Sequence, residues 1–377
     1  MSEVHLTDHT IVVGAGIIGL TIAWELARNG HSVLVLERDR PGSGATRTAG
    51  GMLGVTAEVK YGEQDLLAFE KASLRRFPRY VDELHADGGI DPGLCEKPTL
   101  VVARDRDDTE ALERLVRYQQ SVGLEPRWLT ADEVHQRAPH LRNIEGGVEC
   151  PSDYFVDTDR LTDALVAACQ SWDVELLEGC SVRSILRKNG AAQGVELSDG
   201  RKFFAHRTVV CAGAWSLRIE GIPEFSRPVL RPIRGQTVIV DASHTPLIDR
   251  VVRSPDVYLV PRDDGRIIIG STMEEKGFDP DVTAGAVRTL LDEAWQILPG
   301  IDEMSVRALS SGFRPVSLDG RPIIGTSRLD GLYIAGGHGR HGILLAPITG
   351  QVFARLFRHP QLTRRNYRAF RPDRFLP

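Results

Sequence analysis

The stretch that decides the fold lies near the N-terminus, where residues 10–37 read TIVVGAGIIGLTIAWELARNGHSVLVLE. Residues 10–13 form a short β-branched run, and residues 17–29 place apolar side chains at helical spacing. Residues 31–37 are again apolar and typical of a buried strand, and Gly30 is expected to end the helix before them. The stretch therefore predicts one β-α-β unit with a right-handed crossover.

Three glycines stand between the first strand and the helix, at Gly14, Gly16 and Gly19. Gly14 would allow a tight turn, Gly16 a close backbone approach to a pyrophosphate, and Gly19 close packing of helix on strand. Glu37 ends the second strand, where its carboxylate could accept hydrogen bonds from a ribose diol. A glycine-rich turn without a ligand is the alternative. The motif predicts a dinucleotide site but does not separate FAD from NAD, because both contain adenosine diphosphate.

The composition of the 377 residues is that of a globular protein, with 42% hydrophobic residues and a formal net charge of -5. No lysine- or arginine-rich block is present, so a nucleic-acid partner is not expected. Residues 1–10 lack a basic patch leading into an apolar stretch, and later apolar runs are too short to span a membrane. We therefore expect a soluble, cytoplasmic protein. The five cysteines form no C-x-x-C pair, which argues against a disulfide framework and against a metal site: Cys95, Cys150, Cys169, Cys180 and Cys211.

The rest of the chain alternates helical and strand-like patterns. Helices are predicted over residues 64–87 and 107–123, and from an N-cap at Asp157 to about residue 172. Strands are predicted over residues 181–186, 194–197, 202–211, 236–240, 257–260 and 266–269, with hairpin turns at Asn189-Gly190, Asp199-Gly200 and Asp264-Gly265. This order predicts an α/β (α+β) fold, in which a Rossmann-like dinucleotide-binding domain (1–60, 150–222 and 318–377) is interrupted by a substrate domain (61–149 and 223–317) built on a mostly antiparallel sheet with helices.

Three further segments carry a resemblance to a known family. They are the small-residue loop GATRTAGGMLG at 44–54, TVVCAGAWS at 208–216 and GGHGRHGILLAP at 336–347. Taken without the family, the first is a flexible surface loop. Together they resemble the flavin-contacting motifs of the D-amino acid oxidase superfamily of FAD-dependent amine oxidases, and glycine oxidases within it most closely. The resemblance runs over nearly the whole chain. It implies FAD as cofactor, and non-covalent FAD, because no cysteine follows Cys211 where sarcosine oxidases tether the flavin.

The resemblance also implies which residues hold the cofactor. At the C-terminal motif a helix N-terminus would face the pyrimidine end of the flavin and stabilise the negative charge of its reduced form. Val182 could equally belong to the sheet core. The implied cofactor-binding residues are Gly14, Gly16, Ile17, Ile18, Gly19, Glu37, Arg38, Ala45, Thr46, Gly50, Gly51, Met52, Val182, Ala212, Gly213, Trp215, Gly337, His338, Gly339, Arg340, His341, Gly342, Ile343 and Leu344.

On the substrate side, the resemblance implies catalytic roles for Tyr258, Arg314 and Arg340. Arg314, within GFRP, would pair bidentately with the substrate carboxylate, Tyr258 would assist, and Arg340 would lie nearby. Each has an ordinary alternative: a structural ion pair for Arg314, a packed ring for Tyr258 and a surface pair for Arg340. The sequence departs from the family at Asp256, where a histidine is expected at the entrance, which leaves substrate size open. His338 and His341 could tune the flavin or simply position neighbours through hydrogen bonds.

The function implied by the resemblance is oxidation of a small amino acid or N-alkyl glycine, such as glycine, sarcosine or a small D-amino acid. Hydride would pass to flavin N5 and dioxygen would be reduced to hydrogen peroxide, with thiamine biosynthesis as the implied pathway. Three alternatives stay open: an FAD-dependent D-amino acid dehydrogenase that passes electrons to a quinone or carrier, a flavin-binding subunit of a larger amine oxidase, and, last, a nicotinamide-dependent dehydrogenase. The oligomeric state is open, a homo-oligomer included.

Overall fold

A computed structural model describes residues 3–6, 8–224, 229–359 and 367–375. Seven α-helices run through these residues: α1 (Ile17–Arg28), α2 (Gln64–Gly88), α3 (Arg106–Ser121), α4 (Ala131–Arg137), α5 (Thr158–Ser171), α6 (Ala284–Ile297) and α7 (Gly342–Arg358). Short 3₁₀ helices lie at Gly213–Arg218, Pro299–Glu303, Gly339–His341, Arg368–Phe370 and Pro372–Phe375.

The strands of the described residues form four sheets. They are β1 (Glu3–His5), β2 (His9–Val13), β3 (Ser32–Leu36), β4 (Met52–Leu53), β5 (Leu94–Cys95), β6 (Thr99–Ala103), β7 (Arg127–Thr130), β8 (Gly146–Cys150), β9 (Tyr154–Val156), β10 (Glu175–Leu177), β11 (Val182–Lys188), β12 (Ala191–Leu197), β13 (Lys202–Phe204), β14 (Arg207–Val210), β15 (Leu230–Asp241), β16 (Val252–Arg253), β17 (Tyr258–Pro261), β18 (Arg266–Gly270), β19 (Ser305–Ser317), β20 (Ile323–Thr326) and β21 (Leu332–Gly336).

A six-stranded sheet with the order β10-β3-β2-β14-β21-β20 carries the first motif. Strands β2 and β3 are parallel and α1 connects them, which confirms the predicted β-α-β unit. Strand β14 pairs in parallel with both β2 and β21. The apolar faces of α1, α2, α5 and α7 join one core that includes the buried Trp24 and Phe353. This core fixes the start of α1 against the sheet.

An eight-stranded sheet with the order β19-β15-β18-β17-β16-β6-β8-β7 forms the second layer. Its neighbours pair antiparallel except β16 and β6, so the prediction of a mostly antiparallel sheet is confirmed. Helix α6 packs on it through Leu290 and Ala294. The remaining strands form a four-stranded sheet (β1-β13-β12-β11) and a three-stranded sheet (β4-β9-β5).

The predicted turns and caps are mostly confirmed. Asn189 and Gly190 both have positive φ, 53° and 79°, as a two-residue type I′ turn between antiparallel β11 and β12 requires. Asp157 caps α5, since its side chain accepts from the backbone N–H of Asp159 and Arg160. One strand prediction is wrong: residues 202–211 form two strands, β13 in the four-stranded sheet and β14 in the six-stranded sheet. Between β13 and β14 the chain passes from one sheet to the other. A run of apolar residues does not show which strands it pairs with.

The division into two discontinuous domains stays a proposal. Residues 1, 2, 7, 225–228, 360–366, 376 and 377 of the proposed ranges lie outside the described residues. Within the part of the chain that is described, no helix has both the length and the apolar character needed to cross a bilayer. Over the same part, no group of three or more His, Cys, Asp or Glu side chains could hold a metal ion. All five cysteines are free thiols.

Candidate active site

A cavity of about 510 Å³ opens where β2, β3 and β14 end. Its wall includes the residues just past those strands, Gly14, Glu37 and Ala212. Parallel sheets bind ligands at the carboxyl ends of their strands, because loops and helix N-termini meet there. Gly14 and Gly16 of the predicted dinucleotide motif therefore lie in the wall of this cavity.

The glycine turn allows a ligand to approach the backbone of this wall closely. Gly14 has a φ of +102°, and a Cβ built there would lie 2.8 Å from the carbonyl oxygen of Cys211. Gly16 is the N-cap of α1 and has no side chain of its own to cap the helix. Thr46 Oγ1 accepts the N–H of Ile17, the first residue of the helix, at 3.0 Å. A helix N-terminus beside a glycine turn fits a pyrophosphate, because both its remaining amides and its dipole favour negative charge.

Glu37 is held in a fixed orientation at the end of β3. Its two carboxylate oxygens accept the backbone N–H groups of Ala15, at 2.7 Å, and Asp39, at 2.9 Å. A carboxylate can accept about four hydrogen bonds, so acceptor capacity is left for a diol. The cavity therefore combines an anion site with a diol acceptor, and the residues present fit a dinucleotide.

The structure brings most of the predicted cofactor residues together at the cavity. Those in its wall are Gly14, Gly16, Ile17, Ile18, Glu37, Arg38, Ala45, Thr46, Val182, Ala212, Gly213, Trp215, His338, Gly339, Arg340, Gly342 and Ile343. The predicted residues that do not line the cavity are Gly19, Gly50, Gly51, Met52, Gly337, His341 and Leu344. Contact of any of these residues with a cofactor stays a prediction.

His338 lies in the cavity wall and is hydrogen-bonded to the protein. Its Nε2 lies 3.1 Å from Thr349 Oγ1, and because that hydroxyl donates to the carbonyl of Leu345, the His338 ring donates through Nε2. Burial, aided by the neighbouring His341, lowers the pKa of His338 to about 3. His338 is therefore neutral at physiological pH and positions the start of α7, which favours the hydrogen-bonding interpretation of this residue.

The lowered pKa of His338 predicts acid sensitivity. Below about pH 6.5 the unfolded chain binds a proton at His338 that the folded chain, with a pKa of about 3, does not. This group should therefore lower the free energy of unfolding by about 2 kcal/mol between pH 7 and pH 5. Urea unfolding of the wild type and of His338→Gln, which retains a donor but does not titrate, should reveal a smaller pH effect in the variant. Equal pH effects in both proteins would contradict the assignment.

Arg314 is half-buried on β19 and lines the cavity. Its guanidinium donates only to neutral groups, the carbonyl of Thr272 at 3.1 Å and the hydroxyl of Ser271. A Cβ built at Gly235 on the paired strand would lie 2.2 Å from Nη1, so a glycine is needed there to make room. No carboxylate among the described residues forms an ion pair with Arg314. The structural ion pair weighed for this residue is thus not observed.

Tyr258 lies close to the same segment but outside the cavity wall. Its ring fits between two glycines: a Cβ at Gly50 would lie 3.0 Å from Cε2, and one at Gly270 would lie 2.5 Å from the hydroxyl oxygen. Gly270 directly precedes Ser271, which bonds Arg314. The structure therefore brings Tyr258, Arg314 and the flavin-like loop 44–54 to one place, although the sequence separates them widely.

Arg340 also lines the cavity, but its charge is already balanced. It donates to Glu63 at 2.9 Å, and its Nε lies 3.7 Å from Glu58 Oε2. Burial opposes ionisation of Glu58, yet Arg253, His341 and Arg340 together hold its pKa below the usual value. The substrate role of Arg340 stays a prediction, and its observed partners match the alternative of an acid pair.

The two other polar positions singled out from the sequence face away from the cavity. His341 Nδ1 lies 2.8 Å from Glu70 Oε1, with both side chains buried. Asp256 pairs with Arg104 at 2.7 Å, and Arg104 also binds Glu293. The departure from the family at Asp256 therefore places an acid in a surface ion-pair network, which explains why the cavity wall does not include it.

Sequence reasoning missed several residues that shape the site. Asp153 is fully buried and accepts the backbone N–H groups of Val55, Thr56 and Ala57, which fixes the segment after the flavin-like loop. The buried Arg262 donates to the carbonyl of Gly50 at 2.9 Å. No local pattern marks these residues, because each acts on a segment about 100 or more positions away in the chain.

The fold and the cavity define the class of the protein as a dinucleotide-dependent oxidoreductase with a Rossmann-like sheet and a second, mostly antiparallel sheet. The family described as FAD dependent oxidoreductase, the D-amino acid oxidase family, matches residues 9–356, and the chain belongs to it. Its cofactor is therefore FAD.

Individual relatives agree with this assignment. The chain is 34% identical over 348 residues to a glycine oxidase from Geobacillus kaustophilus, covering 92% of this chain and 91% of that one. It is 33% identical over 355 residues to the bifunctional protein ThiO/ThiG of Trichormus variabilis, covering 93% of this chain and 52% of that one. The crystal structure of glycine oxidase from Bacillus cereus superposes with a TM-score of 0.88 at 30% identity, covering 95% of this chain and 97% of that one.

Proposed function

We propose that the chain is an FAD-dependent amino acid or amine oxidase that acts on a small amino acid or an N-alkyl glycine, with glycine, sarcosine and small D-amino acids as candidates. The observation that carries the proposal is Arg314, a guanidinium in the cavity wall without a carboxylate partner among the described residues. A half-buried charge without a counterion favours an anionic ligand, and a substrate carboxylate matches its fork geometry. The named activity of the glycine oxidase relatives supports the same substrate class.

The proposed cofactor contacts follow the shape of the cavity. The start of α1 and Gly16 would hold the pyrophosphate, Glu37 the adenosine ribose, and Val182 would lie against the adenine. Loop 44–54 and the start of α7 would face the flavin ring. We propose that FAD is held non-covalently. Cys180 and Cys211 both line the cavity, and burial raises the pKa of the Cys211 thiol far above the usual range, so its nucleophilic thiolate is disfavoured.

In the proposed reaction, the protein supplies orientation and electrostatics rather than an acid or a base. Arg314 and Tyr258 would bind the substrate carboxylate, and a backbone carbonyl would accept from the neutral amine. When bound, FAD would supply the hydride acceptor, flavin N5, and dioxygen would take up the two electrons with release of hydrogen peroxide. Water would hydrolyse the imine product to a carbonyl compound and ammonia, or to an amine where the substrate is N-alkylated. Holding the α-carbon near the acceptor can lower the barrier by several kcal/mol.

Oxygen and peroxide stoichiometry tests this proposal against the alternatives. Under air, each turnover of glycine, sarcosine, D-alanine or D-proline should consume one dioxygen and release one hydrogen peroxide. Substrate oxidation that requires an added quinone and yields no peroxide would favour a dehydrogenase. If none of these amines is oxidised in either assay, a flavin-binding subunit without its own amine chemistry is favoured.

We extend the proposal to pathway, location and partners. Glycine oxidases often serve thiamine biosynthesis, and similarity to a ThiO/ThiG protein supports that pathway here. We place the enzyme in the cytoplasm, with the small amine and dioxygen as its reaction partners and no nucleic-acid or membrane partner. The proposal leaves a homo-oligomer open.

A further inference from the structure

Four side chains, three of which line the cavity, form a continuous stack. The guanidinium of Arg38 lies 4.2 Å from the ring centroid of Trp215, and the ring of Trp215 lies 5.4 Å from that of Phe278. The guanidinium of Arg218 lies over the ring of Phe278, 3.8 Å from its centroid. Phe313, which precedes Arg314, packs against both aromatic rings at 5.7 and 5.5 Å. Cation-π and aromatic contacts of this kind are each favourable, so the stack joins parts of the chain that are distant in sequence.

The stack lies where the adenosine diphosphate half of FAD is expected. Arg38, Trp215 and Arg218 all line the cavity, and both arginines are exposed. Arg38 follows Glu37, the proposed ribose ligand, and Trp215 lies just past Gly213 at the end of β14. Trp215 also lies against the flavin-like loop, since a Cβ at Gly44 would lie 3.5 Å from its ring. The stack therefore borders the cavity that the cofactor would occupy.

The two arginines, Arg38 and Arg218, differ in their ion pairing. Arg38 pairs with Asp39 at 2.8 Å. For Arg218, the structure places no carboxylate within ion-pair distance among the described residues, and its contact is the face of Phe278. An arginine on the cavity wall without an acid of its own among the described residues is suited to a phosphate oxygen.

Phe278 belongs to the segment of residues 271–283 between β18 and α6, which is firmly anchored. The buried guanidinium of Arg234 binds Glu274 and Asp279, each at 2.7 Å. Gln236 accepts the backbone N–H of Thr283 at 2.7 Å. These bonds hold the segment against β15. Because the bonded residues lie before and after Phe278 in the chain, they fix the position of Phe278 next to Trp215.

We propose that this stack is a clasp on bound FAD, in which the anchored Phe278 holds Arg218 in place at the cavity wall and Arg218 pairs with the pyrophosphate. The inference rests on FAD as the cofactor and is independent of the substrate. The wild type should release FAD slowly because the contact with Arg218 must break before the cofactor leaves.

The release of FAD from the purified full-length holoenzyme tests the clasp. After dilution of the holoenzyme, the rate of FAD release is measured from the rise in flavin fluorescence. The dissociation constant is measured separately, by titration with FAD. Arg218→Gln should weaken FAD binding about tenfold, because a charge-assisted contact is lost, and the loss should shrink at high salt. Arg218→Lys should recover most of the affinity. Phe278→Leu should raise the release rate several-fold.

Arg207→Gln is the matched control, because Arg207 also stacks on an aromatic ring, at 5.2 Å from Phe357, but does not line the cavity. This control should bind FAD as the wild type does. Equal affinities of Arg218→Gln and Arg207→Gln, or an Arg218→Lys variant as weak as Arg218→Gln, would overturn the charge role. An unchanged release rate in Phe278→Leu, with an unchanged thermal midpoint, would overturn the role of Phe278 in holding Arg218. Neither result depends on whether the protein oxidises any amine.

Discussion

Replacing Arg314 by Leu should raise the Michaelis constant for glycine or sarcosine by about a hundredfold or more. The variant removes the guanidinium that lacks a carboxylate partner in the cavity wall and leaves a substrate carboxylate without its bidentate donor. The turnover number should fall as well, because the α-carbon is no longer held in line with the flavin. Steady-state oxygen uptake over a wide substrate range separates the two constants.

Arg307→Leu provides the control for this prediction. Arg307 lies on the same strand, β19, but is exposed and pairs with Asp241. The Michaelis constant of the Arg307→Leu variant should match that of the wild type. If Arg314→Leu also keeps the wild-type constant, the carboxylate binds elsewhere and the proposed substrate orientation is wrong. FAD content should be measured in both variants, so that loss of cofactor is not mistaken for loss of substrate binding.

Replacing Gly19 by Val should destabilise the protein by about 3 kcal/mol or more and deplete it of FAD. A Cβ at Gly19 would lie 2.0 Å from the carbonyl oxygen of Gly14, which belongs to the turn that shapes the anion site. Since the obstructing atom is backbone, α1 must move away from the turn, and the helix N-terminus moves with it. Urea unfolding gives the stability, and the ratio of flavin to protein absorption gives the bound FAD.

Gly285→Ala is the comparison for Gly19→Val. Gly285 is also a helical glycine, in α6, but no atom lies within 4 Å of a Cβ built there. This variant should be as stable as the wild type or more stable by about 0.5 kcal/mol, because alanine favours the helix. A Gly19→Val protein with full FAD content and wild-type stability would disprove the packing role assigned to this glycine.

Local chemistry explains why the first β-α-β unit was predictable from the sequence. Gly14, Gly16 and Glu37 act within one unit of fewer than 30 residues, where turn, helix start and strand end are each fixed by neighbouring residues. The same holds for the Asn189-Gly190 hairpin and the Asp157 cap. Such features require no knowledge of tertiary packing, and the structure confirms them.

Features that depend on long-range pairing were not predictable in the same way. The pairing of Arg340 with Glu63 joins residues 277 positions apart, and the bond from Arg262 to Gly50 spans 212. The split of residues 202–211 between two sheets depends on which strands lie beside them. Strand β15 extends from Leu230 to Asp241, beyond the predicted 236–240, because its partner β19 is equally long. The periodicity of apolar residues indicates whether a segment forms a helix or a strand. It does not indicate which other segments that element will contact.

The most direct test of the proposed function is anaerobic reduction of the bound flavin by small amino acids. The purified protein should be yellow, and glycine, sarcosine or a small D-amino acid should bleach that absorption in the absence of oxygen, while Arg314→Leu requires far more substrate. Larger amines without a carboxylate should leave the wild-type spectrum unchanged. A flavin that stays oxidised with every amino acid offered would contradict the proposal that this cavity oxidises them.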